Sequence, residues 1–322
     1  MAGLALGLAV SASSAQQKEV TVSVLSAPFG TATYVLCSAL EQISKKEHPW
    51  LRVVASETPG FVFNLKKLDV EPALRKTTVI GSGPALIGLA TQGQKPFDKK
   101  YAAPKLIGNI NIVAVWLASL DDKLKGGADV GGKRLALGKS AQINWAVLPR
   151  AVVENGWGAK TNVQYLGPKP AIAALLDGKA DLAIVGGYVN PSNGNLALAP
   201  PTLELVATGR KLNHLSFGTE AVKKTVPKGY RITPYTVKAG SVQGLGRSLE
   251  TFIDTSSWTV DASFPEDIAY ELAKLIIKNI GKFGEYHAMG KLMSAQGLVY
   301  GWDVADIHPG ALKAYKEAGI IK

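Results

Sequence analysis

Hydrophobic and polar positions follow two alternating rhythms along this chain. Val20 to Leu25 alternates as a strand does, and the small residues Ser26 to Thr31 then lead into a helical spacing over Ala32 to Lys46. The same unit recurs twice. Leu51 to Ala55 predicts a strand, Thr58 to Asn64 a loop, and Leu65 opens a helical segment; Thr77 to Ile80, Gly81 to Pro84 and Ala85 to Thr91 repeat the order. Three strand–loop–helix units make a first lobe. Each loop sets backbone N–H groups at a strand's carboxyl end, where open α/β sheets bind ligands.

Asn109 to Ala118 reads as a long apolar strand, and the polar, glycine-rich Asp121 to Gly132 as the first crossing into a second lobe. That lobe opens on the same unit, with Lys133 to Leu137 as strand, Gly138 to Asn144 as loop and Trp145 to Glu154 as helix. Asn162 to Leu166 and Ala180 to Val185 are further strands, the latter entering a turn at Gly186 to Pro191. Thr251 to Val260 is the strand that returns the chain to the first lobe. There Pro265 to Asn279 and a C-terminal pair of helices complete it. The division expected is residues 18–112 plus 255–322 for the first lobe and 113–254 for the second. Two crossings make a hinge.

Composition narrows the class. A chain of 322 residues with 47% hydrophobic side chains exceeds what one core usually fills. The apolar run Leu4 to Val10, followed by Ser13-Ser14-Ala15, reads as a secretory signal peptide over residues 1–15, and the absence of Lys or Arg before it points to a truncated or shifted start. No later apolar stretch reaches the ~20 residues of a spanning helix, so we expect a soluble, extracytoplasmic, monomeric protein. Cys37, the single cysteine, allows no internal disulfide and falls in an apolar helical pattern. The net charge of +11 is scattered along the helices and turns, with no basic run interleaved with aromatics. That excludes nucleic acid and favours an acidic solute.

In order along the chain stand Gly30-Thr31-x-x-Tyr34, Thr58-x-Gly60 ending at Asn64-Leu65, Gly132-Lys133-Arg134, Asp177 to Asp181, Gly187 with Pro191, Pro265 to Tyr270, and His308-Pro309-Gly310-Ala311 running to Gly319. This series resembles the TAXI solute receptors of TRAP transporters, in the periplasmic binding protein superfamily. The resemblance implies an α/β, two-lobed, type II-like binding protein fold with two crossing strands as hinge. It implies a periplasmic receptor that closes on a solute and delivers it to a TRAP membrane permease. Amino acids such as glutamate and dicarboxylates such as 2-oxoglutarate are the solutes associated with that family. Phe61-Val62-Phe63 and Lys139-Ser140-Ala141-Gln142 depart from its small Gly-Ser loops, so glutamate does not carry over directly.

The residues themselves offer a pocket at the strand ends. Phe29, Gly30, Thr31, Tyr34, Phe61, Asn64 and Ser82 come from the first lobe, and Ser140, Gln142, Asn144, Gly187, Tyr188 and Asn190 from the second. Helix-start N–H groups and short amides suit a carboxylate, and aromatic faces suit an organic body. Bland readings stand beside these. Gly30, Gly60 and Gly187 serve equally as turn formers; Tyr34 points either way; Phe63, Trp116, Trp145 and Trp258 read better as packing, Lys139 as surface charge, and His308 as a helix-entry turn. The four histidines lack metal-ligand spacing, no Gly-x-Ser-x-Gly elbow occurs, and the carboxylates fall on surface helices and turns. No cofactor, metal or catalytic group is called for. An enzyme on the same fold, or the receptor of an ATP-driven importer, are the alternatives.

Overall fold

The alternation at Val20–Leu25 becomes strand β1, whose Val22 and Val24 are buried. The computed structural model describes residues 18–29 and 31–322; the expected leader at 1–15 and Gly30 lie outside the described residues. Helix α1, Ala32–Glu47, follows with its Leu36, Cys37, Leu40 and Ile43 face buried, then β2 Leu51–Ser56, α2 Phe61–Val70, β3 Thr78–Ser82, α3 Pro84–Gln92 and the long β4 Lys105–Ser119. The chain goes on through β5 Arg134–Leu137, α4 Leu148–Ala151, β6 Asn162–Tyr165, α5 Pro168–Leu176, β7 Leu182–Asn190, β8 Asn195–Leu198, α6 Pro200–Ala207, β9 Asn213–Leu215 and α7 Thr219–Thr225. It closes with β10 Thr233–Val237, the long β11 Leu249–Val260, α8 Glu266–Lys278, α9 Phe283–Tyr286 and α10 Pro309–Glu317. No helix among the described residues is long and apolar enough to cross a membrane.

All the strands join one sheet, in the order β2-β1-β3-β11-β4-β7-β5-β6, with β10, β8 and β9 attached at β11, β7 and β4. Strand β1 lies parallel between β2 and β3, and β5 lies parallel between β6 and β7. Between these halves β4 and β11 run antiparallel along most of their length. Strand β11 pairs with β10 over Leu249–Ile253 and with β3 over Ser257–Val260. Strand β4 takes β7 as partner from Val113 to Ala118. Each long strand therefore serves both halves: near the middle β11 exchanges β10 for β3, and β4 gains β7. The stretch 121–132 comes after that change, with Leu124 and Val130 already in the second half's core.

Two main cores flank the changeover. One gathers Val22, Leu36, Leu40, Trp258, Phe283 and Tyr315, and the other Trp116, Leu135, Leu182, Phe217 and Phe252. A third cluster, with Leu65, Leu86 and Phe97, lies under α2 and α3. The indole N–H of Trp258 meets the Cys37 sulfur at 3.3 Å, and that of Trp116 meets His214 Nδ1 at 2.9 Å. Both tryptophans are core members. Burial pushes the Cys37 thiol up to about 12, which leaves it an inert packing group.

Several expectations need correction. Phe61 to Asn64 is not a loop but the first turn of α2, because Gly60, at φ 129°, makes the turn one residue earlier. Phe63 is 42% exposed and so is not core. Gly186 to Asn190 is not a turn either, since β7 runs to Asn190 between β4 and β8. A Cβ on Gly187 would lie 2.3 Å from the Ala197 carbonyl oxygen, so only glycine permits that approach. The helix expected at Trp145–Glu154 is a short α4 between π-helical turns Ile143–Val147 and Val152–Gly156. Pro149 has no N–H for the Trp145 carbonyl four residues back, which instead accepts from Gly138 N at 2.8 Å. The C-terminal pair is one helix, α10, preceded by 3-10 turns and the four-residue α9. His308 enters it as expected, its Nδ1 accepting from Gly310 N at 3.3 Å.

The steric reading of β7 is testable. Gly187→Ala should cost about 2 kcal/mol in chemical denaturation, since the new methyl forces two buried backbones apart; an unchanged midpoint would contradict the close approach.

Candidate functional site

The two sets of parallel strands point their carboxyl ends at the same stretch of β4 and β11. Strand β3 ends at Ser82, opposite Ser257 of β11, and β7 reaches Tyr188, opposite Val113 of β4. Between them Asp254 pairs with Val113 and Ser256 with Asn111. Directly paired residues share a sheet face, as do residues two apart on a strand. Asn111, Val113, Tyr188, Asn190, Asp254 and Ser256 thus line one face across three adjacent strands.

Helix starts from the first half border this face. Asn111 Nδ2 donates to Thr33 Oγ1 of α1 at 3.3 Å, and Asp254 Oδ1 accepts from Ala85 N of α3 at 3.3 Å. Gly83 makes the second contact possible, because a Cβ there would sit 2.2 Å from the Thr255 carbonyl oxygen. From the second half the turn Ile143–Val147 packs over β4 and β7, and Ile143 touches apolar clusters of both halves. The face is a polar strip bordered by segments of both halves, the candidate floor of a binding cleft.

The expected site residues divide into contacts and supports. Phe29 is 74% exposed, its ring centroid 5.3 Å from that of Tyr34, and its N–H donates to the Glu57 carboxylate at 3.0 Å. Tyr34 is half-buried beside it. Thr31 caps α1, accepting from Tyr34 N and donating to Pro28 O, so its hydroxyl is used locally. Phe61 packs its ring on Gly81, where a Cβ would lie 2.7 Å from it. Asn64 is fully buried, and its Nδ2 ties together the carbonyls of Leu25, Ser26 and Gly81 at 2.8–3.1 Å. It shapes the loops after β1 and β3 from behind. Ser82 spends its hydroxyl on Thr259 at 2.8 Å inside the sheet.

In the second half Ser140 is exposed, and Gln142 Oε1 accepts from Lys139 N at 2.8 Å, closing its own loop. Asn144 lies in the π turn with a buried, unpartnered Oδ1. Gly187 makes room for β8, as described. Tyr188 stands on the floor, its phenol pushed above the usual range by burial, and Asn190 Oδ1 accepts from Ser192 N at 3.0 Å. Lys139 is exposed, as a surface charge should be.

Known proteins bear on this geometry. The NMT1-like family matches residues 24–319. The chain belongs to that family. Its fold is similar to the crystal structure of a TctC solute-binding protein from Polaromonas, without ligand, at TM-score 0.56 and 16% identity over 95% of this chain and 99% of that one. MatC from Rhodopseudomonas palustris with bound malate (TM-score 0.49, 12% identity, 94% and 96% covered) and an R. palustris protein with adipate (0.49, 16%, 94% and 94%) are more distant in fold. This NMT1-like chain therefore has the two-lobed α/β architecture of periplasmic solute-binding proteins.

The floor of this NMT1-like cleft was missed by sequence reasoning at Asn111, Asp254 and Ser256. The signal was present as polar residues inside otherwise apolar strand runs. Asp254 also corrects the placing of every carboxylate at the surface: it is 5% exposed, and burial raises its carboxyl to about 7. Among the described residues no three His, Cys, Asp or Glu side chains gather closely enough to hold a metal.

Two outcomes follow for the NMT1-like chain. The folded protein holds the Asp254 proton more tightly than the unfolded chain does. Its stabilising contribution is therefore complete below the unfolded carboxylate range, near pH 4, and is lost as the pH rises to about 7. Asp254→Asn should flatten that decline, worth about 4 kcal/mol, in denaturation midpoints taken from pH 4 to 8; an unaltered slope would refute it. Asn64→Ala leaves three loop carbonyls without their donor and should cost about 2 kcal/mol, with weaker solute binding as a consequence; an unchanged melting curve would contradict the supporting role.

Proposed function

We propose that this protein is an extracytoplasmic receptor that closes its two lobes, residues 18–112 with 255–322 and residues 113–254, over a small organic acid. It hands the solute to an ion-gradient-driven permease of the TRAP type, as a TAXI receptor does. One observation carries the reading: the carboxyl ends of both parallel strand sets converge on a polar floor made by the two strands the halves share. A guest seated there touches both halves. Only contacts that differ between open and closed states drive closure, and a guest bridging both lobes supplies them.

The acid preference rests on several features. Helix α2 follows the outer strand of its half and begins after Gly60 with no side chain capping its first amides, while α5, which starts Pro168-Lys169-Pro170, leaves only the Lys169 N–H free. Such helix starts favour negative charge. The net charge of +11 draws anions to the surface. Phe29, Phe63, Tyr165 and Leu166, exposed near the outer strand ends, supply apolar surface for a carbon skeleton. The ordered series from Gly30-Thr31 to His308-Pro309-Gly310-Ala311 supports the TAXI assignment.

A thermal-shift screen of dicarboxylates, amino acids and aromatic carboxylates against neutral sugars tests the reading. At 100 times its dissociation constant a solute adds about 2.7 kcal/mol of stability. Acids should raise the melting temperature and sugars should not. If sugars alone do so, the acid assignment is wrong.

A further inference from the structure

The floor of the cleft has a chemical polarity that the acid-receptor reading does not use. Asn111 is 8% exposed, and its Oδ1 has no hydrogen-bond partner. Its amide nitrogen is turned to Thr33, which leaves the oxygen as the free end. Beside it on the same face stands the Asp254 carboxyl group, which has only backbone N–H donors, from Ala85 and Thr255. Asn144, on the turn that packs over β4 and β7, adds a second buried and unpartnered amide oxygen. No Lys or Arg side chain is paired with Asp254.

Leaving a buried acceptor without a donor is costly, and a donor brought by a guest recovers that loss. The same floor repels a carboxylate, because Asp254 brings like charge or needs its own proton moved. A solute's acid group therefore belongs at the rim, at the helix starts, and a different group belongs at the bottom.

We infer that Asp254 and Asn111 are specificity-determining residues that bind a hydrogen-bond donor, an amine or a hydroxyl, carried on the acid's skeleton. This rests on the acid-receptor reading and narrows it to amino or hydroxy acids over plain acids. A plain acid of equal length leaves the floor acceptors unpaired and is discriminated against, as sites built around a polar group reject analogues that lack it.

The test is isothermal titration with three matched series: aspartate, malate and succinate; glutamate, 2-hydroxyglutarate and glutarate; phenylalanine, phenyllactate and phenylpropionate. In at least one series the amino or hydroxy member should bind about tenfold or more tightly than the plain acid, the worth of one such hydrogen bond. Asp254→Asn should reduce the preference for the amine, and Asn111→Ala the preference for either donor, to within about threefold. Asp254→Asn keeps the shape and an acceptor for Ala85 N, so it separates loss of recognition from loss of fold, which far-ultraviolet circular dichroism monitors. Equal binding of all three members in every series that binds, or a preference that survives both substitutions, overturns this inference and leaves the receptor reading standing. If no member of any series binds, the acid-receptor reading fails and this inference falls with it.

Discussion

Everything in this molecule depends on two strands that belong to both of its halves. Strands β4 and β11 pair with each other along most of their length; near the middle β11 exchanges β10 for β3 and β4 gains β7. Backbone pairing therefore continues from one half to the other, through register shifts at Ser256/Ser257 and Trp258/Thr259. That pairing also fixes where the parallel strands of each half must end, and so where the cleft lies.

The polar floor follows from the same constraint. Residues at the changeover face a cleft on one side and a core on the other, so polar groups occupy one face and apolar or mutually bonded groups the opposite one. The register shift between Ser256 and Ser257 turns Asn109 to the far face, where it binds Ser257, Trp302 and the carbonyls of Gly297 and Tyr300 and is fully occupied. On the near face Asn111 and Asp254 are only partly satisfied. Two asparagines in one strand thus differ: one fastens the C-terminal segment to the sheet, and the other keeps an unpartnered amide oxygen. The glycines nearby are spacing devices, with Gly83 bringing α3 to Asp254 and Gly187 bringing β8 to β7.

Much of the fold was legible in the chain because its periodicity is clean. The alternation at Val20–Leu25 and the helical spacing from Ala32 map onto β1 and α1 with little change. The site was less legible, because sequence shows what lies in a loop and not which groups a fold occupies. Asn64 and Ser82 were read as contacts; the Asn64 Nδ2 and the Ser82 hydroxyl are engaged inside the scaffold, and the Asn64 Oδ1 has no partner. The Gly186-Gly187 pair reads locally as a turn, although two flanking strands hold it extended. Asn111 and Asp254 were hidden by the reverse effect: a single polar residue within an apolar run disappears into the run's average. Only the register of neighbouring strands brings such residues together.

The central proposal is that the halves move as bodies about β4 and β11 and close when a guest bridges them. Small-angle scattering of the protein with and without a saturating acid that scores as a binder measures this directly. The account predicts a smaller radius of gyration and a shorter maximum dimension in the bound state. Identical scattering curves under full occupancy, confirmed by calorimetry on the same sample, would contradict it.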